Sequence, residues 1–307
     1  MQVTDSHAND ESVGTPPPIP IFILGIRPRS GTHFLANLLC KHPDCVKSVI
    51  AEDSLLVDAD LLARYVTRVN AQWTSVNGAP LAGYDELLRQ CIGEGLLSFL
   101  RETQLLGEKE RLRKFGKKAG AGRLNKRLVT KTPHLDNLAY FFQFFKRVPL
   151  LILVRDGRAI VESNVRSFAS DPESEIRAWA AAADKLAQFE TEYRDVSPGY
   201  LIVRFEDLHS RTEAEMRRVL AFLGLSTETY DFEGALNLPV VGSSTFKRPP
   251  GKVSWLPVRK TVDFDPLERA SEWTRADHER FNRLAGKQLL RLGYIPTPDP
   301  GGIGVGE

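Results

Sequence analysis

The sequence predicts an α/β fold made of a single domain, in which a central, mainly parallel sheet is flanked by helices. Five short apolar runs alternate with segments of helical periodicity, and this alternation is typical of a parallel sheet covered on both faces. Several runs are almost continuous Ile, Leu and Val, as expected for strands that are buried on both sides. Of the 307 residues, 42% are hydrophobic and 26% are charged, which is ordinary for a globular domain.

The predicted elements follow one another regularly along the chain. Strands are predicted at 21–26, 46–52, 127–131, 150–155 and 200–205. Helical patterns fill the stretches between them, and one more, TEAEMRRVLAFLGL, follows the last strand. The insertion 54–126 is too long for a simple crossover, and we expect it to form a helical cap over a ligand site. Its basic, glycine-bearing part, 107–127, is predicted to be a mobile loop.

The ends of the chain differ in composition from its centre. Residues 1–18 are polar and end in a proline cluster, and residues 297–307 are rich in glycine, so both are predicted to be disordered tails around a domain at 19–296. Three cysteines without CxxC spacing indicate neither a disulfide framework nor a zinc site. Because no apolar run approaches the ~20 residues of a membrane span, we predict a cytoplasmic protein.

The first predicted strand leads through a glycine-bearing loop, GIRPRSGT, into a helical pattern. Gly25 and Gly31 let the backbone bend tightly, so that N–H groups and the helix N-terminus can converge on an anion. The loop nearly matches the Walker A pattern, GxxxxGK[ST], but Ser30-Gly31-Thr32 replaces the Gly-Lys pair and the cation is Arg29. A phosphate-like ligand is therefore predicted, and an ATP-type site is disfavoured.

A second strand-to-helix junction carries Arg155 at the strand end and Ser163 eight residues later, about two helical turns on. With these two motifs the chain resembles the sulfotransferases that use 3′-phosphoadenosine-5′-phosphosulfate (PAPS). The segments KTPHL at 131–135 and RFEDL at 204–208 extend the resemblance, which runs from about 21 to 255. It implies a P-loop-like fold and transfer of a sulfuryl group from PAPS to a hydroxyl acceptor by in-line displacement. The product of the donor would be 3′,5′-adenosine bisphosphate (PAP).

The resemblance also implies which residues bind the donor. The loop at 28–32 would hold the 5′-phosphosulfate, whereas Arg155, Ser163 and the C-terminal loop 243–255 would hold the 3′-phosphate. The predicted donor-binding residues are Arg27, Arg29, Ser30, Gly31, Thr32, His33, Arg155, Ser163, Arg248 and Lys252. In RFEDL, Glu206 or Asp207 is expected to cap the next helix.

Two residues compete for the role of the base that takes the acceptor proton. Glu52 ends the second predicted strand, where one branch of the resembled family places a catalytic glutamate. His134 follows Lys-Thr-Pro, and Pro133 displaces it by one residue from the catalytic histidine of another branch. Glu52 is the preferred candidate. Lys131 is predicted to reach the sulfonate, and Arg29 to act beside it.

Two other functions stay open from the sequence. A P-loop-type small-molecule kinase would need Mg²⁺ and normally the missing loop lysine. A nucleotide-binding protein without activity would keep the loop but lack turnover. The 41 basic and 39 acidic residues mean that any cationic site must be local. We predict no metal site, no nucleic-acid partner and an acceptor that the sequence does not identify, and we leave a homodimer open.

Overall fold

A parallel sheet organises the computed structural model, which describes residues 17–115, 125–195, 199–242, 256–259 and 265–295. The described residues form five strands: β1 (Ile21–Gly25), β2 (Cys45–Lys47), β3 (Arg127–Thr132), β4 (Leu150–Val154) and β5 (Tyr200–Arg204). All neighbouring strands are parallel, and their order is β2-β3-β1-β4-β5. The predicted fold class is confirmed.

Helices cover both faces of this sheet, and each face has its own core. The α-helices of the described residues are α1 (Thr32–Leu39), α2 (Ala59–Asn77), α3 (Tyr84–Phe115), α4 (Phe141–Phe144), α5 (Gly157–Phe168), α6 (Pro172–Glu192), α7 (Phe205–Ser210), α8 (Thr212–Leu223), α9 (Phe232–Leu236) and α10 (Arg275–Arg291). Phe22 of β1 packs into one core with Trp179 of α6. Its neighbour Ile23 packs into the other core with Met216 of α8. Alternate residues of a strand point to opposite faces, so a continuous apolar run serves both cores.

The second strand is shorter than predicted, because β2 ends at Lys47 rather than at residue 52. The chain continues beside β3 as a loop, in which the N–H groups of Ser48 and Asp53 donate to β3 carbonyls at 2.9 and 3.2 Å. Glu52 therefore lies in this loop and not at a strand end. Its neighbourhood is nevertheless the one predicted, since the loop stays next to the carboxyl end of β3.

The insertion between β2 and β3 contains the two long helices α2 and α3. The loop prediction is wrong for 107–115, because α3 continues to Phe115. Glu110 pairs with Arg113 at 2.8 Å and with Lys114 at 3.3 Å, and such pairs at spacings of three and four stabilise a helix. Residues 116–124 lie outside the described residues.

Other predictions concern the ends of the chain and one helix cap. Residues 1–16 and 296–307 lie outside the described part, so the two predicted tails stay predictions. Neither Glu206 nor Asp207 caps α7. Glu206 accepts from the Asp156 N–H at 3.0 Å and from the Tyr294 hydroxyl at 2.9 Å, and Asp207 accepts from Arg211 at 2.7 Å. Within the described ranges, no helix is long and apolar enough to cross a membrane.

Candidate active site

A cavity of about 350 Å³ lies at the carboxyl ends of the central strands. Its lining includes Arg29 after β1, Pro133 after β3, Arg155 after β4 and Phe205 after β5. In parallel α/β sheets, ligands bind in the crevice outside these strand ends. The cavity therefore occupies the position where the sequence predicts a ligand.

The loop between β1 and α1 is shaped by two close approaches and two left-handed residues. Arg29 has a φ of 75° and Gly31 a φ of 101°. A Cβ on Gly31 would lie 2.5 Å from the Phe205 ring, and one on Gly25 would lie 2.3 Å from Ser30 Oγ. The turn leads directly into α1, whose first N–H groups have no acceptor within the helix. These amides and the positive end of the helix dipole favour an anion.

The Arg29 side chain bridges the two predicted donor motifs. Its Nε donates to Ser163 Oγ at 3.0 Å, and its Nη2 donates to the Gly242 carbonyl. The guanidinium also lies 6.0 Å from the centre of the Phe168 ring. Burial lowers the pKa of Arg29. The structure thus brings together the arginine of the first motif and the serine of the second.

Arg155 is buried, with 5% of its surface exposed, and it lies beneath the loop. Its Nη1 donates to the Arg29 carbonyl at 3.0 Å, its Nη2 donates to the Pro266 carbonyl, and its guanidinium stacks 4.1 Å from the Phe205 ring centre. Burial lowers the pKa of Arg155 to about 10; Glu206 opposes this shift and Arg29 adds to it. The Nε has no hydrogen-bond partner among the described residues.

A third arginine, Arg269, also lines the cavity and was not predicted. Burial lowers its pKa to about 9, and the charges of Arg155 and Arg29 add to that shift. Its local sequence, Leu-Glu-Arg-Ala, has no motif that marks a binding residue. Only the tertiary structure reveals that it joins the other two arginines.

Glu52 and Lys131 form an ion pair elsewhere in the cavity lining. Lys131 Nζ donates to Glu52 Oε1 at 3.1 Å; the lysine side chain is 11% exposed and the glutamate side chain 48%. His33 also lines the cavity, and burial, with the charges of Lys47 and Lys131, lowers its pKa to about 4. The imidazole is therefore neutral at physiological pH.

Of the predicted residues that the structure describes, Arg27, Ser30 and His134 lie outside the cavity lining. Arg27 donates to Glu175 Oε2 at 2.9 Å, and His134 Nδ1 lies 3.1 Å from Asp136 Oδ2. Ser30 belongs to the loop but is fully buried, and its hydroxyl has no partner among the described residues. The remaining two predicted residues, Arg248 and Lys252, lie outside the described ranges.

The fold and the cavity together define a class of protein. A loop whose amides favour an anion, clustered arginines and a lysine–carboxylate pair at one cavity are suited to an enzyme that transfers a group from an anionic nucleotide. Across the described ranges, no group of three or more His, Cys, Asp or Glu side chains is placed to hold a metal ion.

Comparison with known proteins shows that the chain belongs to the sulfotransferase family, whose model matches residues 20–229. The chain is 24% identical over 303 aligned positions to protein-tyrosine sulfotransferase 1 of Danio rerio, covering 93% of this chain and 75% of that protein. It is also 24% identical over 298 positions to protein-tyrosine sulfotransferase A of Caenorhabditis elegans, covering 92% and 69%. A solved sulfotransferase domain from the Synechococcus PCC 7002 olefin synthase aligns with a TM-score of 0.48 and 19% identity, covering 92% and 96%.

The family confirms two predictions made from the sequence. The resemblance to sulfotransferases is correct, and the chain is a transferase of sulfuryl groups. PAPS is the donor that this family implies.

Proposed function

We propose that this enzyme transfers the sulfuryl group of PAPS to a hydroxyl acceptor by in-line displacement, with Glu52 as the base. The observation that carries the proposal is the composition of one cavity lining. It unites the loop at the start of α1, the arginines near Ser163 and the Glu52–Lys131 pair. Binding of two phosphate groups and removal of a proton can then occur within one site.

The described residues fit a donor with two anionic ends. Arg155 Nε, in the cavity lining, is a buried polar atom without a partner among the described residues, and such an atom is costly unless a ligand or water satisfies it. The amides that begin α1 suit the 5′-phosphosulfate. Arg155 and Ser163 suit the 3′-phosphate, because a guanidinium and a hydroxyl both donate to phosphate oxygens.

The reaction requires three functions of the protein: a base, an orienting contact for that base, and stabilisation of the leaving group. Glu52 accepts the acceptor proton while the acceptor oxygen bonds to sulfur and the bond from sulfur to the 5′-phosphate oxygen breaks. Lys131 orients the Glu52 carboxylate through the 3.1 Å contact, and we propose that its ammonium group also binds a sulfonate oxygen. The α1 amides stabilise the charge that develops on the departing phosphate, and Arg29, whose guanidinium contacts Ser163, adds positive charge between the two ends of the donor. His134 is the weaker base candidate, because it lies outside the cavity lining.

The acceptor class is suggested by the names of the two relatives, which are protein-tyrosine sulfotransferases. We propose a phenolic hydroxyl as the first acceptor to test. Matched peptides, identical except for Tyr or Phe at one position, are incubated with radiolabelled PAPS. Label in the tyrosine peptide alone supports this acceptor. If neither peptide is labelled while a library of small hydroxyl compounds is, the acceptor is a small molecule.

The donor and the metal requirement are tested in the same assay. We expect transfer from PAPS in the presence of EDTA, since sulfuryl transfer requires positioned cationic side chains rather than a metal in the site we propose. Loss of transfer in EDTA that Mg²⁺ restores, together with turnover of ATP, would favour the kinase alternative. Absence of turnover with any acceptor despite PAP binding would favour the non-catalytic alternative.

Cellular location and assembly are also proposals. We propose a cytoplasmic enzyme, tested by fractionation of cells that express the full chain. A homodimer is tested by light scattering at several protein concentrations. Recovery of the enzyme in the membrane fraction would contradict the cytoplasmic location. A monomer mass at every protein concentration would contradict the homodimer.

A further inference from the structure

We propose that Asp53 is a positioning residue for Glu52: it fixes the loop after β2 to β3, so that the Glu52 carboxylate stays beside Lys131. This inference rests on the proposed function, since it concerns how the base of that reaction is held. Asp53 follows Glu52 directly in the chain, and it lies outside the cavity lining. Its role is therefore exerted through Glu52 and not by contact with a substrate.

The position of Glu52 has to be fixed by residues around it. Glu52 belongs to neither a strand nor a helix, because β2 ends at Lys47 and α2 begins at Ala59. Its side chain is 48% exposed, so packing contributes little to its orientation. A general base works only within hydrogen-bond reach of the proton that it accepts. The backbone of this loop must then be held by other contacts.

Asp53 makes three hydrogen bonds that hold the loop. Its N–H donates to the Lys131 carbonyl at 3.2 Å, and its Oδ2 accepts from the Thr130 hydroxyl at 2.8 Å. Its Oδ1 accepts from the Leu55 N–H at 3.1 Å, which closes a tight turn within the loop. Thr130 is only 1% exposed, so water does not compete freely for the hydrogen bond between the two side chains. The Asp53 side chain thus joins the loop to the interior of β3.

The next residue, Ser54, shows that the backbone of this loop is constrained. Its φ is 51°, a left-handed conformation that residues other than glycine adopt at a cost and that persists where surrounding contacts determine it. Its N–H donates to Thr132 Oγ1 at 3.1 Å. The side chains of Thr130 and Thr132, on either side of Lys131 in β3, therefore hold two consecutive loop residues. This register leaves Glu52 next to Lys131, where their 3.1 Å contact forms.

A double-mutant cycle in steady-state kinetics tests the inference, with radiolabelled PAPS and the tyrosine peptide, or the small hydroxyl compound that is labelled in its place. We expect Asp53→Ala to lower kcat by about 10-fold or more, because a displaced base loses most of its contribution. In the Glu52→Gln background the same change should lower kcat by less than about 2-fold, since no base remains to be positioned. The affinity for PAP, measured by calorimetry, should stay within about 2-fold of wild type.

Two further variants separate positioning from folding. Asp53→Asn should recover most of the lost kcat, because its amide oxygen can accept from the Leu55 N–H and its amide nitrogen can donate to the Thr130 hydroxyl. Asp171→Ala is the matched control, because Asp171 also accepts from a backbone N–H, that of Ser174 at 2.8 Å, but caps α6 outside the cavity lining. The control should lower the Tm and leave kcat unchanged.

The outcomes separate this inference from the proposed function. If the wild type labels neither acceptor, the proposed function fails and the inference fails with it. If Glu52→Gln keeps the wild-type kcat, Glu52 is not the base and the inference is overturned while sulfuryl transfer stands. If Glu52→Gln loses turnover, a wild-type kcat in Asp53→Ala, or an equal loss in both backgrounds, overturns the inference alone. Should Asp53→Ala not fold, Thr130→Val removes the same hydrogen bond at similar volume and takes its place in the cycle, with the same expected result.

Discussion

Arg155 makes structural contacts in the protein, and in the site that we propose the same side chain also binds the donor. Two of its N–H groups hold backbone carbonyls, one in the phosphate loop and one at Pro266, and its Nε is without a partner among the described residues. A guanidinium has five N–H donors in a rigid fork, so it can fix the loop and still bind a phosphate. A lysine has a single ammonium group and cannot make this set of contacts.

Substitution of Arg155 should therefore separate the two phosphates of the donor. Arg155→Ala is expected to weaken PAP binding by ~1.5–3 kcal/mol, because a charge-assisted hydrogen bond to the 3′-phosphate is lost. Adenosine 5′-phosphosulfate lacks this phosphate, so its affinity should fall much less, by the amount that the loosened loop costs. Calorimetry with both ligands measures the difference, and Arg155→Lys shows how much of it is charge alone. Equal losses for the two ligands would contradict the assignment of the 3′-phosphate to Arg155.

Glu52 is the residue on which the proposed chemistry depends. A positioned base typically contributes ~10²–10⁴-fold, so Glu52→Gln should lower kcat by this order and leave PAP affinity unchanged. His134→Ala is the matched comparison and should cost less, since His134 lies outside the cavity lining and beside Asp136. Steady-state kinetics with PAPS and a tyrosine peptide checks both variants. The base would be His134 if Glu52→Gln retained wild-type turnover and His134→Ala lost it.

Residues that belong to local motifs were predictable, and residues recruited by tertiary structure were not. Arg29, Arg155 and Ser163 stand at fixed offsets from strand ends, and the structure brings them together. Arg269 has no such offset, because the segment that carries it is placed by contacts to α5. The roles of the Pro266 and Gly242 carbonyls as hydrogen-bond acceptors could not be predicted from the sequence either, since every residue has a carbonyl.

At the scale of elements, the loop between β1 and α1 depends on the missing side chain of Gly31. Gly31 needs a positive φ, and its Cα faces the Phe205 ring too closely for a Cβ. Gly93 of α3 is tightly packed as well, because a Cβ there would lie 1.9 Å from the Phe144 carbonyl oxygen. The first glycine lies in the cavity lining, and the second lies between α3 and α4, outside that lining.

This pair of glycines provides a matched test of the anion loop. Both Gly31→Ala and Gly93→Ala should lower the free energy of unfolding by ~1–3 kcal/mol or more, through backbone strain or a forced shift of neighbours. Only Gly31→Ala should also weaken PAP binding, because it displaces the amides that begin α1. Chemical denaturation and calorimetry measure the two effects. Unchanged PAP affinity in a folded Gly31→Ala protein would contradict the role of the loop.

The elements themselves were predicted unevenly, for physical reasons that particular residues show. β1 and β4 are continuous apolar runs buried at every position, and their prediction holds to within one residue. The second strand was predicted too long, because Val49 and Ile50 are apolar although they follow the strand in a loop. The loop prediction failed at 107–115, where Gly107 suggested a break. In the structure this glycine lies inside α3, at a point where a Cβ would lie 2.5 Å from Val49.

At the scale of the whole molecule, the site is assembled by the strand order. β1 lies between β3 and β4, so the phosphate loop is flanked by the strand that carries Lys131 and by the strand that precedes Arg155. The apolar runs predicted the strands and the side of the sheet where the cavity lies, but they carry no information on which strands are neighbours. The contacts of Arg29 to Gly242 and of Arg155 to Pro266 then join the sheet to later parts of the chain.

Because these contacts span the chain from β1 to the segment before α10, ligand binding should stabilise the molecule as one unit. A ligand that binds only the native state adds about 2.7 kcal/mol at 100 times its Kd, which corresponds to a rise of about 4 °C in Tm for a chain of 307 residues. We expect PAP to shift a single unfolding transition upward by this amount, and Mg·ATP to leave it unchanged, since the loop lacks the lysine of an ATP site. Differential scanning calorimetry at several ligand concentrations makes the measurement. A rise in Tm with Mg·ATP alone would favour the kinase alternative. If PAP instead raised the Tm of only one of two separate transitions, the sheet and the later segments would unfold independently.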